Sequence, residues 1–593
     1  MPASNLTLER LLAAGYFPEA LPPCFRTETF GAALKSGQPI VGDFDISTNV
    51  PPQSKCVKYN QARVGATRRQ FSIPNPVHFY RLAKCFHSHW SDIEPLATIS
   101  PLSLTKPLLS QGRRCFQHSV SFRERPIYRA KVRSTARYIL RADIARFFPS
   151  IYTHSIPWAF HGKAFAKKNR GNNYWANQLD ACLRNIQDGQ TIGIPIGQEI
   201  SRVIAEVILW KVEEILGVSK KTNGIRSIDD YEVGFMSEAE AESFLNRLER
   251  ALSEYELALN PLKTFIQPLP QLLIDKWDSE LRSFHLTSDL NESLPTEAEE
   301  EENEDGTDEF DSIGQNRFRH APRRDQLINF FNKAIDLQHT FKEDAVLRFA
   351  LARLGRLKIT GASWDVYQDY LYQCALNQPE TIRIVVSNLL KSHFKDGQKL
   401  DKRKLKIAID TIVATAAPIG HASDVAWALW TAILFQIRLS QKASQELAHC
   451  LDSVVGCLTC ELGARKLLPK RFDYSYLKQI VMDTNSLYEN QWLLSYEASR
   501  NGWLGQKPSG LLADPCFGYM FKAGVKFFEN DVADKLQDKL KTIAQVPRPS
   551  LVKRVERSDI DDDEAEDEEA DSEPEDASDS EESFDLWWLR NDD

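Results

Sequence analysis

The sequence has no apolar run long enough to span a membrane, and its first residues show no signal-peptide pattern. Its ten cysteines are scattered without the regular spacing of a disulfide framework. Cys457 and Cys460, with Cys450 upstream, lack a second ligand pair at zinc-finger spacing, so we expect buried free thiols there. These absences predict a soluble, cytoplasmic protein of a reducing compartment, with no membrane partner.

The acidic residues are distributed unevenly, so the net charge of the whole chain conceals an excess of basic residues outside two acidic segments. Residues 297–311 contain 10 Asp and Glu without a Lys or Arg, and residues 558–593 contain 19 against Arg590 alone. The rest of the chain has 72 basic and 53 acidic residues, although the formal net charge is -9. A basic body suits a polyanionic partner, whereas the acidic segments either shield it or are simply solvated.

Length and hydrophobic content predict several domains. The 593 residues are too many for one core, and 42% hydrophobic residues suffice for globular cores. Prolines and aromatics in residues 1–35 predict a segment laid across another surface. From about residue 325 to 541 the pattern is helical almost throughout, which favours an irregular array of the HEAT type. Further helices are predicted over residues 78–90, 174–186, 200–216 and 237–257.

Residues 225–231 hold two adjacent carboxylates between apolar and β-branched residues. The pattern predicts a tight strand-turn-strand with Asp229 and Asp230 at its tip. Two like charges at one turn are costly to hold unless a cation neutralises them, which indicates a divalent-metal site. Taken alone, however, the dipeptide is more typical of an ordinary solvated turn.

Three other features surround this turn in the sequence. An extended run ends at Asp143 and is followed by two aromatics, although Asp143 alone is more typical of a helix cap or a turn. The glycine-proline segment 193–201 opens a helix and lets backbone approach a ligand. Lys263, taken alone, is more typical of a solvated loop cation. In this order the features fit phosphoryl transfer through two metal ions, which needs carboxylates from separate strands.

Basic residues are dense in the segment 113–141. Among them, Lys131 and Arg133 are candidates for binding a triphosphate, and the same positive charge could bind a nucleic-acid backbone. A set of basic residues that merely coats a sheet explains the pattern equally well.

Four segments in this order resemble the motifs of reverse transcriptases. Residues 143–151 resemble the first metal motif of the palm, and residues 193–201 resemble the template- and nucleotide-binding turn. Residues 227–230 resemble the paired-aspartate hairpin, and residues 257–263 resemble the motif that follows it. The resemblance covers about residues 70–285.

The resemblance assigns a role to each candidate side chain. It implies that Asp143, Asp229 and the carbonyl of Ile144 bind Mg²⁺ or Mn²⁺, with Asp230 as a further ligand beside them. It makes Lys263 a candidate proton donor to pyrophosphate.

Two positions of the nucleotide site follow from the same resemblance, and two others depart from it. Phe148 is implied to be the steric gate that rejects a ribose 2′-hydroxyl, and Gly197 belongs to the nucleotide-binding turn. Ser227 stands where an aromatic is usual, and Ile196 stands where many members have a polar residue. Processive copying is therefore less secure than nucleotide addition itself.

Within the reverse transcriptases, the chain is similar to the bacterial abortive-infection and defence-associated enzymes. The similarity lies in residues 15–25, in the variant Gly-Pro segment with Ala205-Glu206 after it, and in the helical segments 420–429 and 492–498. It implies antiphage defence, assembly into homo-oligomers, DNA synthesis without an added template and, in some members, priming from a tyrosine. The candidate tyrosines are Tyr474, Tyr476, Tyr488, Tyr496 and Tyr519.

The predicted fold is α+β, with a reverse-transcriptase palm-and-fingers domain followed by an all-α HEAT-like helical repeat domain. The predicted divisions are an N-terminal extension 1–70, fingers and palm 71–285, an acidic linker 286–324, the helical domain 325–545 and a disordered acidic tail 546–593. The predicted function is Mg²⁺- or Mn²⁺-dependent addition of dNTPs, with single-stranded DNA as the product, in antiphage defence. RNA-templated cDNA synthesis from a dedicated non-coding RNA and a non-catalytic helical-repeat scaffold are the alternatives.

Overall fold

The computed structural model describes most of the chain between residues 6 and 545. The described residues are 6–33, 51, 53–65, 67–286, 322–343, 345–450, 452–483 and 486–545. Most of the predicted acidic linker and all of the predicted acidic tail lie outside them. Helices predominate, and the strands form small antiparallel sheets, which confirms a mixed fold of helices and sheet.

The described strands form three antiparallel sheets. Val57–Ala62 (β1) pairs with Arg68–Ile73 (β2), and Pro107–Leu109 (β3) pairs with Phe116–His118 (β4). The third sheet contains Tyr138–Asp143 (β5), Gly224–Ser227 (β6), Asp230–Phe235 (β7) and Phe265–Pro268 (β8), in the order β6, β7, β5, β8. The β6–β7 hairpin confirms the strand-turn-strand that the sequence predicts around the paired aspartates.

The four-stranded sheet has one apolar and one polar face. Leu140 of β5 lies opposite Val233 of β7, and both are buried on the face against which helix Glu238–Ser253 packs. Because side chains alternate along a strand, Arg141 and Asp143 of β5 lie on the other face. Helix Arg125–Arg133 contacts β6 and β7 on that polar side.

Helices surround the sheet in the first half of the chain. They are Leu8–Ala14, Glu28–Ala32, Pro76–Ser88, Trp90–Thr98, Arg125–Arg133, Phe147–Ser150, Ser155–His161, Lys163–Lys168, Trp175–Asn185, Glu199–Leu216, Glu238–Ser253 and Lys276–Arg282. The helix predicted over 78–90 begins earlier, because Asn75 accepts the N–H of Val77 as a cap and Pro76 takes the first helical position. The predicted helix 200–216 is confirmed, and it ends where Gly217 adopts a φ of 79°.

The described residues between 322 and 545 are mainly helical, as predicted. The helices are Arg324–Phe341, Ala345–Gly355, Gly361–Asn377, Ile382–Leu390, Lys402–Ala416, Ala422–Phe435, Gln441–Leu447, Ser453–Ala464, Ser475–Met482, Trp492–Asn501, Ser509–Ala513, Pro515–Lys522 and Val532–Gln545, with short 3₁₀ or π turns at Pro379–Thr381, Lys391–Lys395 and Trp503–Gly505. None of the helices in the described ranges has the length and apolar character that a membrane crossing requires.

Helix Ala422–Phe435 lies at the centre of this helical region. Every one of its residues is buried, because helices Lys402–Ala416 and Ser453–Ala464 pack on it and β1 covers another side. Cys457 and Cys460 lie on one of these neighbours, and they are buried free thiols, as is Cys450. The prediction of buried free thiols at these positions is therefore confirmed.

The N-terminal segment, residues 6–33, lies across the two halves of the chain, as its prolines and aromatics predict. The carbonyl of Gly15 accepts the N–H of Glu199 at 3.0 Å, at the start of the long helix Glu199–Leu216. Phe25 forms an antiparallel bridge with Phe528, near the last described helix. The segment therefore connects the sheet-containing half to the end of the helical region.

The β1–β2 hairpin is fastened to the helical region by polar contacts. Asn60 donates to the Gly420 carbonyl at 2.7 Å and accepts the N–H of Ala422 at 3.1 Å. Arg68 pairs with Asp424 at 2.6 Å, and the Asp424 side chain is only 4% exposed. Because the side chains of Asn60 and Arg68 make these three contacts, the hairpin has a defined position relative to the helices.

We expect Asp424→Asn to lower the free energy of unfolding by about 2 kcal/mol, because it leaves the largely buried Arg68 guanidinium without a charge partner. Urea denaturation followed by tryptophan fluorescence measures the change. The matched control is Asp369→Asn, since Asp369 pairs with Lys404 in a half-exposed position and such pairs contribute less than about 1 kcal/mol. Equal losses in the two variants would contradict a role for the buried pair.

Candidate functional site

The four-stranded sheet brings the predicted carboxylates together. β5 ends at Asp143, and the antiparallel register places Asp143 opposite Asp230, the first residue of β7. Between β6 and β7, Ile228 and Asp229 form the turn of the hairpin. The N–H of Ile144 donates to the Asp229 carbonyl at 3.2 Å, which ties the end of β5 to this turn.

The three carboxylates repel one another where they lie. Burial, then the charges of Asp229 and Asp143, raise the pKa of Asp230 to about 7. Burial also raises the pKa of Asp229, and the charge of Asp143 adds to the effect. A divalent cation would offset this repulsion, and carboxylate oxygens are the ligands that Mg²⁺ prefers.

Lys263 and Asn260 hold the third carboxylate. The Lys263 Nζ donates to Asp143 Oδ2 at 3.0 Å, and the Asn260 Nδ2 donates to Oδ1 at 2.9 Å. Although burial opposes ionisation, these bonds lower the pKa of Asp143. The hydrogen bond to Asp143 raises the pKa of Lys263, so this ammonium stays protonated. Lys263 is a predicted site residue, whereas Asn260 is one that the sequence reasoning missed.

The donor set fits a hard divalent cation, but the side chains are not arranged as a finished cation site. In the part of the chain that the structure describes, no group of three or more His, Cys, Asp or Glu side chains could hold a metal ion as it stands. Both carboxylate oxygens of Asp143 accept hydrogen bonds, from Asn260 and Lys263. Cation binding there requires Lys263 to move, and its 62% exposed side chain is free of the packing that would prevent it.

The segment after Asp143 packs against the glycine-proline turn. The N–H of Ile194 donates to the Phe148 carbonyl at 3.0 Å, and Phe148 is partly buried in the short helix Phe147–Ser150. Gly193 has a φ of 86°, and a Cβ there would lie 3.0 Å from the Pro149 carbonyl oxygen. Glycine is therefore needed for the turn to approach the residues that follow β5.

Gly197 lies against the N-terminal segment and β2. Its φ is 116°, and a Cβ there would lie 2.7 Å from the Cβ of Pro18 and 3.3 Å from the ring of Phe71. The glycine thus makes room for the N-terminal segment, and we assign it a packing role. Direct binding of a nucleotide by Gly197 stays a prediction.

The structure gives Arg133 a structural role in place of the predicted nucleotide binding. Its Nε donates to Glu232 Oε1 at 2.7 Å, and its Nη1 donates to the carbonyls of Gln271 and Leu272 at 3.1 and 2.6 Å. A buried guanidinium with these partners is not available to a phosphate in this arrangement. Lys131 lies beside a cavity lined by residues 222–225, at the end of β6 remote from the aspartates, and its role stays a prediction.

Two arginines that the sequence reasoning did not single out lie close enough to influence the carboxylates. The charge of Arg69, on β2, partly offsets the rise that burial causes in the pKa of Asp229. Burial lowers the pKa of Arg125 to about 10, and attraction to Asp230 opposes that shift. The density of basic residues pointed to the helix that carries Arg125, but nothing in the sequence marked Arg69.

The candidate priming tyrosines differ in accessibility. Tyr496 is buried and donates to the Val525 carbonyl at 2.8 Å, and Tyr488 donates to Asp514 at 3.0 Å. Burial raises the pKa of both phenols, and it also raises the pKa of Tyr474. Tyr474, Tyr476 and Tyr519 are partly buried, as Tyr488 is, and the hydroxyl oxygen of Tyr519 is itself buried.

No model of a known protein family matches the chain, and no curated protein matches it. The functional interpretation therefore depends on the geometry around Asp143 and on the resemblance of the motifs that surround it.

We expect Asp230→Asn to raise the thermal unfolding midpoint of the metal-free protein at pH 8, by roughly 2 °C. Above a pKa of about 7 all three carboxylates are ionised, and the substitution removes part of their repulsion. Because the pKa is raised from 3.8 on folding, the contribution of Asp230 to wild-type stability falls as the pH rises between these two values. The gain should therefore disappear at pH 5, where Asp230 is protonated.

Differential scanning fluorimetry in EDTA, at pH 5 and pH 8, measures this difference. Asp369→Asn, on the exposed surface of the helical region, serves as the control for a general effect of removing a negative charge. A gain that is the same at both pH values would show that Asp230 does not titrate as described.

Proposed function

We propose that the chain is a reverse-transcriptase-like DNA polymerase that adds deoxynucleotides by two-metal phosphoryl transfer. One observation carries the proposal: the register of β5 on β7 pairs Asp143 with Asp230, with Lys263 in contact. In this proposal the four-stranded sheet is the palm, the β1–β2 hairpin belongs to the fingers, and the helices from residue 324 form a HEAT-like repeat domain.

Each side chain at the site has a task in this reaction. Asp143, Asp229, Asp230 and the Ile144 carbonyl would hold the two ions. When bound, Mg²⁺ or Mn²⁺ activates the attacking hydroxyl and neutralises the triphosphate. Lys263, which is hydrogen-bonded to Asp143, would have to leave this carboxylate for cations to bind, and as a protonated ammonium it could give its proton to the departing pyrophosphate.

The surroundings of the carboxylates suit a nucleotide and a nucleic-acid strand. Arg69 and Arg125 supply positive charge from two sides, on β2 and on helix Arg125–Arg133. The guanidinium of Arg125 lies 3.7 Å over the ring of Phe122, which is 52% exposed. An exposed aromatic beside a cation is a platform on which a base can stack, with the phosphate beside it.

The biological setting is part of the proposal and is supported by the motif resemblance alone. It comprises antiphage defence in the cytoplasm, homo-oligomer formation, and untemplated synthesis primed from a tyrosine of the protein. Of the five predicted priming tyrosines, Tyr496 is the one that is fully buried.

We expect Asp229→Asn to lower dNTP incorporation by at least about 100-fold, because it removes a carboxylate that the two cations need. Purified protein is incubated with labelled dNTPs and Mg²⁺ or Mn²⁺, with and without an added template. Asp369→Asn should incorporate as wild type does. Absence of incorporation by wild type, or equal incorporation by Asp229→Asn, would reject the proposed activity.

Sequencing the product separates the alternatives. Random or homopolymeric DNA supports untemplated synthesis, whereas a product that matches one co-purified RNA supports cDNA synthesis from a dedicated template. Phage protection that survives Asp143→Ala would support a non-catalytic scaffold instead.

We expect Phe148→Ala to raise incorporation of ribonucleotides relative to deoxynucleotides by about tenfold, because it removes the ring that would meet a 2′-hydroxyl. Competition between matched rNTP and dNTP pools measures the ratio. Phe165→Ala, which removes an exposed ring on helix Lys163–Lys168, should leave the ratio unchanged. An unchanged ratio in Phe148→Ala would reject the gate role without touching the assignment of the carboxylates.

A further inference from the structure

A buried polar network lies directly beneath the hairpin that carries Asp229. The guanidinium of Arg226, on β6, is fully buried between two carboxylates. Its Nε donates to Glu213 Oε1 at 2.5 Å, and its Nη2 donates to Glu206 Oε2 at 2.9 Å. Both glutamates belong to helix Glu199–Leu216. Charged side chains are rarely buried so completely unless they are paired.

The turn residue above this network has a strained backbone. Ile228 adopts a φ of 57°, in the left-handed region that β-branched residues avoid. Its carbonyl accepts Arg226 Nη1 at 2.9 Å, and its N–H donates to Thr105 Oγ1 at 3.0 Å. The N–H and the carbonyl of Ile228 are thus both held by hydrogen bonds, immediately before Asp229.

One carboxylate orients both of these partners. The Thr105 hydroxyl donates to Glu206 Oε1 at 2.7 Å, so its lone pair is left to accept the N–H of Ile228. The other oxygen of Glu206 accepts Arg226, as described above. Backbone pairing fixes the segment that carries Thr105, since the N–H of Leu104 donates to the Arg226 carbonyl at 2.8 Å.

We propose that Glu206, Thr105 and Arg226 are positioning residues that impose the left-handed turn at Ile228 and thereby aim Asp229 at the cation site beside Asp143. The proposal rests on the proposed function, because it assumes that cations bind there. No side chain of this network is among the proposed ligands of the cations or the nucleotide. Its effect should therefore appear mainly in the cation concentration that the protein needs.

The test compares variants at two threonines that are both buried and whose hydroxyls both donate a hydrogen bond. Thr105→Val keeps the shape of the side chain but removes its bonds to Ile228 and Glu206, whereas Thr105→Ser restores the hydroxyl. Thr431→Val is the matched control, because Thr431 is buried and its hydroxyl donates to the Trp427 carbonyl at 2.7 Å within the central helix.

Two readouts are measured on the full-length protein. Electron paramagnetic resonance of free Mn²⁺ gives the cation affinity without any turnover, and dNTP incorporation gives the Mg²⁺ concentration for half-maximal rate. We expect Thr105→Val to weaken Mn²⁺ binding and to raise the half-maximal Mg²⁺ concentration, each by about tenfold, since the N–H of Ile228 loses its buried acceptor. Thr105→Ser and Thr431→Val should bind Mn²⁺ as wild type does.

The outcomes separate this proposal from the proposed function. Wild-type Mn²⁺ affinity in Thr105→Val, or an equal loss in Thr431→Val, would overturn the positioning role while leaving the polymerase proposal intact. If wild type binds no more Mn²⁺ than Asp143→Asn does, the cation site itself is rejected. Should Thr105→Val fail to fold, Glu206→Gln, which keeps the size of the side chain, must weaken Mn²⁺ binding in the same direction. Unchanged affinity in that variant would overturn the proposal.

Discussion

The arrangement of the site depends on two like charges that face each other across a pair of strands. Asp143 and Asp230 occupy opposite positions in the β5–β7 register, which is unfavourable for two carboxylates. The register persists because the reverse face of the same strands is apolar, with Leu140 opposite Val233. A slip of one residue would turn these side chains toward the polar face. The burial of apolar side chains on one face of the sheet therefore keeps Asp143 and Asp230 opposite each other on the other face, although the two carboxylates repel each other.

The helical region contributes to the site although it supplies none of the carboxylates. Its fully buried central helix, Ala422–Phe435, packs against β1. The neighbouring strand, β2, carries Arg68, which pairs with Asp424, and Arg69, whose charge acts on Asp229. Adjacent residues of one strand point to opposite sides, so anchoring the first fixes where the second points. The helices that pack on the β1–β2 hairpin therefore help to position the guanidinium of Arg69 at the edge of the site.

Local patterns in the sequence were enough to predict the hairpin, the strand that ends at Asp143, the helix Glu199–Leu216 and the helical second half. These features follow from residue periodicity and turn chemistry within short windows. The surroundings of single side chains were not predictable in this way. Arg133 pairs with Glu232, 99 residues further along the chain, and Gly197 accommodates Pro18. Both depend on which distant segments meet, and Asn260 and Arg69 were missed for the same reason.

The bridge between Phe25 and Phe528 has a consequence for how the chain is made. The ribosome releases the N-terminal segment first, yet its partners include the N–H of Glu529, which donates to the Cys24 carbonyl at 2.8 Å. About 500 residues must be synthesised before these contacts can form, and at about 5–20 residues per second this takes on the order of a minute. During that interval Cys24 and Phe25 lack these contacts. The contacts can therefore form only after the helical region up to Glu529 has been synthesised.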